Sequence, residues 1–302
     1  MCMGKPIYVE LDINAPIDDV WETTQNPKLH ERWDLRFSQI DYLPKEHEDD
    51  VQTFHYETRI GFGLRIHGIG ESVGSAEKES GEKVSALKFA SDQPLSLIKE
   101  GRGYWKYEQK EKHTRFLTHY DYDTRFGKAG KLLDVVFRPL MGWATAWSFA
   151  ALKQWLEFGK RPEDSIRQSL LHVLFCVTLA LLWAYQGIIP KLLFPETGEL
   201  DLIAATGMVS GFESMVVTAI GLGQLLLAVL FLLPITKRWL FLLSAIAVAI
   251  LGIGALLTSP YLFALPFNPG ALTIVTIGVS IAAWVNSKQL VLARHCKRKE
   301  ER

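Results

Sequence analysis

Residues 113–126, HTRFLTHYDYDTRF, and residues 129–159, AGKLLDVVFRPLMGWATAWSFAALKQWLEFG, decide how the first half of this chain folds. In the first segment the even positions Phe116, Thr118, Tyr120, Tyr122 and Thr124 are uncharged, while the odd positions include His113, Arg115, His119, Asp121, Asp123 and Arg125. That period of two belongs to a strand with one buried face, so the even set is predicted to point inward. The second segment lacks the alternation and has one internal breaker, Pro139, which predicts a single long helix. Its 14 uncharged residues between Arg138 and Lys153 suit a buried helix, because a crossing takes about 20. Trp143, Trp147 and Trp155 recur at spacings of four and eight along one side, as a core stripe or as the floor of a ligand cavity.

Upstream, Ile7, Val9, Leu11 and Ile13 alternate with polar residues as a strand does. Pro16, with its preset φ, and the acidic pair Asp18 and Asp19 then start a helix. A short helix over Pro27–Glu31 follows, and strands are predicted near 36–43, 51–60, 64–74, 83–90 and 98–108. Over 51–60 the parity test selects Phe54, Tyr56, Thr58 and Ile60 as inward over His55, Glu57 and Arg59. The resulting walls are aromatic with scattered hydroxyls and suit an apolar ligand with a few polar handles, unless the interior is simply filled. Gly68-Ile69-Gly70 and Gly101-Arg102-Gly103 lie inside strands, where they mark bulges or sharp curvature, not a phosphate loop at a helix start. Glu46-His47-Glu48-Asp49-Asp50 reads as a solvated turn, not a metal set.

Downstream the composition changes. Residues 1–166 hold 23 of the 33 basic and 27 of the 33 acidic groups. Residues 168–190, 214–236 and 239–287 hold none, in runs of 23, 23 and 49. A 23-residue helix rises about 34 Å and crosses a hydrocarbon core of about 30 Å. The longest run is broken at Ser259-Pro260 and at Pro266–Gly270, so four spans are predicted, about 168–188, 213–233, 238–258 and 270–287. Lys160, Arg161 and Arg167, then Lys237 and Arg238, then Lys288, Arg294, Lys297, Arg298, Lys299 and Arg302 all flank one side, which predicts cytoplasmic termini and a cell-membrane, multi-pass protein. Trp183, Trp239 and Trp284 are expected at the interfaces. The spans offer only His172, Gln186 and Gln224 as strongly polar groups. The domains read as 1–160, a linker 161–167, a membrane domain 168–290 and a basic cytoplasmic tail 291–302. Met1–Asp12 has no signal-peptide pattern, so the soluble half is expected in the cytoplasm. Cys2, Cys176 and Cys296 are too few and too scattered for a disulfide framework or a zinc site.

Strand, two small helices, antiparallel strands and a long helix follow one another as in the helix-grip fold. Residues 1–160 resemble the START/SRPBCC superfamily, polyketide cyclase-like cups, through Ala15-Pro16-Ile17-Asp18-Asp19-Val20-Trp21, Trp33-Asp34, Gly103-Tyr104-Trp105-Lys106-Tyr107 and the final helix. Residues 168–287 resemble the DoxX-like four-helix membrane family through Trp183-x-Tyr185-Gln186-Gly187-x-x-Pro190-Lys191 and Pro266-Phe267-Asn268-Pro269. The two resemblances imply an α+β helix-grip domain, an antiparallel sheet wrapped on a long C-terminal helix, followed by an all-α four-helix transmembrane bundle. They put Phe54, Tyr56, Thr58, Phe116, Thr118, Tyr120, Tyr122, Trp143 and Trp147 on the ligand side of the cup, with Asp34 at its mouth as a possible functional carboxylate.

Helix-grip domains include lipid carriers, receptors, cyclases and chaperone activators, so the fold names no reaction. No nucleophile with a base, paired carboxylates, metal set or phosphate loop stands out, so no catalytic residue, metal or cofactor is expected. No basic stripe points to nucleic acid. The expected partners are an unidentified lipophilic small molecule, the lipid bilayer, and a membrane protein or a second copy of the chain. Three readings follow: a membrane-tethered binding cup exchanging a lipophilic molecule with the bilayer or bundle; a membrane-bound cyclase, dehydratase or quinone-linked redox partner; and a scaffold recruiting another membrane protein.

Overall fold

A computed structural model describes residues 5–47, 50–61, 63–77, 81–234, 238–266 and 268–300. Cys2, Glu48, Asp49, Lys237, Phe267 and Arg302, named above, lie outside the described residues. The chain forms two compact units, one of the residues up to Ser165 together with those from Val291 on, the other Ile166–Leu290.

In the first unit β1 (Ile7–Ile13), α1 (Ile17–Gln25), α2 (Pro27–Trp33), β2 (Gln39–Tyr42), β3 (Gln52–Gly61), β4 (Leu64–Glu77), β5 (Lys83–Ala90), β6 (Ile98–Gln109), β7 (Thr114–Thr124) and α3 (Gly127–Phe158) follow in order. The seven strands form one antiparallel sheet, β1-β7-β6-β5-β4-β3-β2. β1 is buried at every second residue, and Ile7 pairs with Tyr120, which fixes the inward face of both strands. On that face Phe116 stacks on Phe149 of α3 at 4.3 Å and on Tyr107 at 4.9 Å, while Trp33 and Trp105 close the cluster. The sheet therefore grips α3 over Thr145–Leu152, eight consecutive buried residues. The other half of α3 is bare, with Leu132 74%, Val135 70% and Val136 73% exposed.

The glycine pairs do not lie at the bulges; they make room for aromatic side chains. A Cβ on Gly68 would lie 2.3 Å from the Tyr56 ring, and one on Gly70, Gly101 or Gly103 would strike Phe54, Phe89 or Tyr120 at 2.2–2.3 Å. Each glycine lets an aromatic side chain of a neighbouring strand lie against bare backbone. The register shifts fall elsewhere, at Arg59/Gly61, Ser72/Gly74 and Ile98/Glu100.

Residues 291–300 are not a free tail. Glu10 and Lys297 exchange both backbone hydrogen bonds at 2.9 Å, adding a bridge beside β1. Val291, Ala293 and Cys296 are buried, and the Cys296 thiol donates to the Ala146 carbonyl at 3.2 Å. Arg298 donates to the Pro139 carbonyl at 3.1 Å. The basic count of this segment hid its apolar positions.

The second unit contains α4 (Pro162–Gly187), which runs on as a wider π-type turn Ile188–Leu193, then α5 (Glu199–Ala204), α6 (Glu213–Leu232), α7 (Arg238–Thr258) and α8 (Pro269–Asn286). Four helices, Pro162–Leu193, Glu213–Leu232, Arg238–Thr258 and Pro269–Asn286, are long and apolar enough to cross a membrane. Trp183, expected at an interface, is instead 4% exposed in the bundle core beside Phe231 and Phe241. Its indole donates to Ser244 at 2.8 Å, and Ser280 donates to the same hydroxyl at 3.0 Å.

Candidate functional site

Between the sheet and α3 lies a cavity of about 70 Å³, lined by Arg36, Phe37, Tyr56, Thr58, Leu87, Phe89, Ile98, Gly103, Tyr104, Trp105, Thr118, Tyr120 and Met141. It is about half of a void of about 150 Å³ that admits benzene. Four of the nine residues proposed from sequence line it: Tyr56, Thr58, Thr118 and Tyr120. Their parity set them inward, and the Tyr120 hydroxyl is held by Thr145 of α3 at 2.9 Å.

The other five lie elsewhere. Phe116 and Trp147 fill the core, 0% and 4% exposed, Phe116 stacked on Phe149 of α3 and Trp147 within the gripped stretch of that helix. Phe54 is half-buried against Tyr42 and the bare face of Gly70. Tyr122 sits beyond the cavity, donating to Asp134 at 2.7 Å with Arg138 over its ring at 4.3 Å. Trp143 points outward, 45% exposed. Trp143 and Trp147 are one turn apart on neighbouring faces, but Trp143 lies before the continuous buried run Thr145–Leu152 and so stays uncovered. Asp121, on the outward parity, pairs with Arg138 at 2.6 Å beyond the end of β1.

Asp34 is 2% exposed and does not face open solvent. Arg36 grips it with backbone N–H at 3.0 Å, Nε at 2.9 Å and Nη2 at 2.6 Å, and His30 Nε2 approaches at 3.1 Å. Burial alone would raise the Asp34 carboxyl, but the Arg36 charge and hydrogen bonds, then those of His30, hold it well below the usual carboxylate range. Burial likewise opposes the Arg36 charge, yet Asp34 and Tyr120 together raise the guanidinium above its ordinary value. This pair explains why β2 starts at Gln39 and not near 36: Asp34-Leu35-Arg36 is folded as a tight turn, closed by Phe37 N–H on the Asp34 carbonyl at 3.1 Å.

Arg36 is the residue sequence reading missed. Its guanidinium lies 5.3 Å from the Tyr120 ring and 5.6 Å from the Phe37 ring, inside the cavity wall. The spacing Asp34-x-Arg36 was the available signal, since two residues across a turn permit a fork-to-carboxylate grip. Burial pushes the Tyr56 phenol up to about 12, so it stays a neutral donor. It reaches the Ala90 carbonyl at 3.3 Å. The cavity is thus a chamber of aromatic and aliphatic side chains with one cation already matched by a carboxylate. It can accept an apolar group and orient one oxygen, and it displays no nucleophile–base pair. Among the described residues no group of three or more His, Cys, Asp or Glu is arranged to hold a metal ion.

The chain is 44% identical over 238 residues to the "uncharacterized membrane protein YndG" of Bacillus subtilis (strain 168), covering 78% of this chain and 80% of that protein. The chain belongs to the YndG family. Within it, residues 180–281 match the DoxX-like family, which covers most of the four-span unit. Solved structures similar to the first half include TTHA0849 of Thermus thermophilus, 14% identical over 50% of this chain and 96% of that chain, TM-score 0.40. The STAR-related lipid transfer protein fragment of Xanthomonas axonopodis is 13% identical over 49% and 84%, TM-score 0.39. The Zhui aromatase/cyclase of a Streptomyces species is 14% identical over 51% and 97%, TM-score 0.38. This member of the YndG family carries a seven-stranded antiparallel sheet gripping a long helix, followed by a unit whose residues 180–281 match the DoxX-like family.

Proposed function

We propose that the first unit is a cytoplasmic binding cup for a lipophilic small molecule bearing an oxygen head group, held at the membrane by the four spans and exchanging its ligand with the bilayer. The observation that carries this reading is the buried Arg36–Asp34 pair set beside a chamber of aromatic and aliphatic side chains with two threonines. A buried ion pair is weak evidence for stability, so its retention beside a cavity suits recognition. The small volume fits the head group first; admitting an alkyl or ring portion requires Met141 and Phe89, both in the wall, to swing aside. The bare apolar face of α3, with Leu132, Leu133, Val135 and Val136 exposed, supports traffic with lipid. The basic flanks of the spans support the cytoplasmic side.

The test is titration of the full chain in lipid nanodiscs with a fluorescent fatty acid, subtracting empty nanodiscs. Saturable binding that weakens in Tyr120→Ala and persists in the outward control Trp143→Ala is expected. Absence of saturable binding, or equal losses in both variants, contradicts the cup reading.

A further inference from the structure

The second unit contains a larger cavity, about 330 Å³, bounded by α4, α5, α6, α7 and α8. That is within the size range of small-molecule sites. Most of its wall is aliphatic, contributed by residues such as Leu182, Ile220 and Leu251. Besides Gln186 and four threonines, two buried polar features mark the wall. Gln224, in the middle of α6, is only 6% exposed, and its Oε1 has no hydrogen-bond partner. Lys191 is also 6% exposed and pairs with Glu199 at 2.7 Å.

Local geometry builds this arrangement. α4 does not stop at Gly187; the wide turn Ile188–Leu193 carries Lys191 inward, although the sequence places it in a loop. Gly187 and Gly221 let α4 and α6 touch. A Cβ on Gly187 would lie 2.7 Å from the Gly221 carbonyl and 3.3 Å from Gln224 Cβ, and one on Gly221 would lie 3.0 Å from Lys191 Cβ. Gln224 and Lys191 are thereby brought to one end of the same cavity wall. A buried acceptor without a partner is costly in protein and more so in a bilayer, where water does not stand in for it. Polar groups retained in such a place mark function.

We infer that this cavity is a second ligand site, for a lipophilic alcohol or phenol whose hydroxyl donates to Gln224 and whose apolar body fills the aliphatic part. A hydroxyl is both donor and acceptor, so it satisfies the amide in either orientation and also accepts from the Lys191 ammonium. An anionic head is disfavoured because Glu199 already neutralises Lys191. The inference stands independently of the cup reading.

The experiment uses the full chain in nanodiscs with two probes, 4-nonylphenol and nonylbenzene, binding being read by equilibrium dialysis against empty nanodiscs. One saturable phenol site per chain is expected, at least tenfold tighter than any site for nonylbenzene. Gln224→Leu removes the orphan acceptor without changing the bundle's shape; it is expected to lower phenol affinity at least tenfold while leaving the melting temperature unchanged or raised. Ala255→Phe, which fills the cavity from α7, is expected to abolish the site and covers the case of a poorly folded Gln224 variant. The fluorescent fatty acid of the cup is expected to bind both variants as it binds the parent, which separates failure of this site from failure of the cup. Equal binding of the two probes, unchanged phenol affinity in both variants, or no saturable phenol binding, the cavity then holding only water or lipid tails, overturns the inference.

Discussion

Replacing Arg36 with methionine tests the chemistry of the cup where it is most constrained. Methionine keeps much of the side-chain volume against Tyr120 and Phe37, so the change is chiefly electrical. It leaves Asp34, 2% exposed, with the residue-36 backbone N–H and His30 as its remaining partners. Two guanidinium hydrogen bonds, at 2.9 and 2.6 Å, disappear. Breaking one side of a buried pair costs about 3–5 kcal/mol, because the other charge stays buried without compensation. The double variant Asp34→Asn, Arg36→Met removes that charge, and replacement of buried pairs by neutral groups is often near neutral, so more than half of the loss is expected to return. The pH dependence has a definite sign. The folded carboxyl is held below its unfolded value of about 3.9, so the pair stabilises fully above that pH and fades as pH falls through the lowered folded value. The gap between parent and double variant is expected to be flat from about pH 5 to 8 and to shrink below about pH 4. Hydrogen–deuterium exchange of β1 and β7 peptides, measured on the full chain in mild detergent, reads the cup separately from the spans. Parent-like protection in Arg36→Met, or a double variant no better than the single one, refutes the reasoning.

Three further outcomes are expected. Burial pushes the Cys296 thiol up to about 12, so maleimide is expected to modify it only after denaturation, in sealed and opened cells alike; rapid labelling of the native protein would show that residues 291–300 are free. Trp147→Ala is expected to cost about 3–5 kcal/mol by thermal melting, as large buried aromatics do, whereas Trp143→Ala stays within about 1 kcal/mol of the parent as a half-exposed site; similar costs would place both in the core. Gly68→Ala is expected to destabilise by about 1–3 kcal/mol because its Cβ would meet both the Tyr56 ring and the Ala90 carbonyl, while Gly74→Ala, with nothing within 4 Å, is expected to be tolerated; equal melting temperatures would contradict the close-packing role of Gly68.

The architecture was legible because it rests on periodicity and charge. Alternation in 113–126 matched the inward face of β7, but in 51–60 it misplaced Ile60, which is 59% exposed, and Glu57, which is 7% exposed and paired with Arg59 and Arg65; uncharged runs placed the four spans to within a few residues, apart from the extension of α4. The cavity was only partly legible. Parity says which face a residue occupies, as for Phe116 and Tyr120, and not whether the opposing helix presses on it; that depends on where α3 lies along the sheet. Trp143 failed for a related reason, since helical period does not say where along α3 the sheet's grip begins, and the buried run starts at Thr145. Arg36 and Lys191 were hidden because each charge has a partner brought in by a local turn. The docking of Cys296 was masked by its basic neighbours. For Phe116, Trp143 and Cys296 the missing information is long-range packing, and for Arg36 and Lys191 it is the geometry of a local turn; composition and local period carry neither.

The central claim is tested most directly by native mass spectrometry of the full chain extracted from its own membrane, with released small molecules identified afterwards. A stoichiometric lipophilic molecule with an oxygen head group is expected, reduced in Tyr120→Ala and in the Asp34→Asn, Arg36→Met double variant but retained in Gln224→Leu. A chain that carries only a protein partner or a redox cofactor, with no such molecule sensitive to the cup variants, would contradict the binding-cup reading.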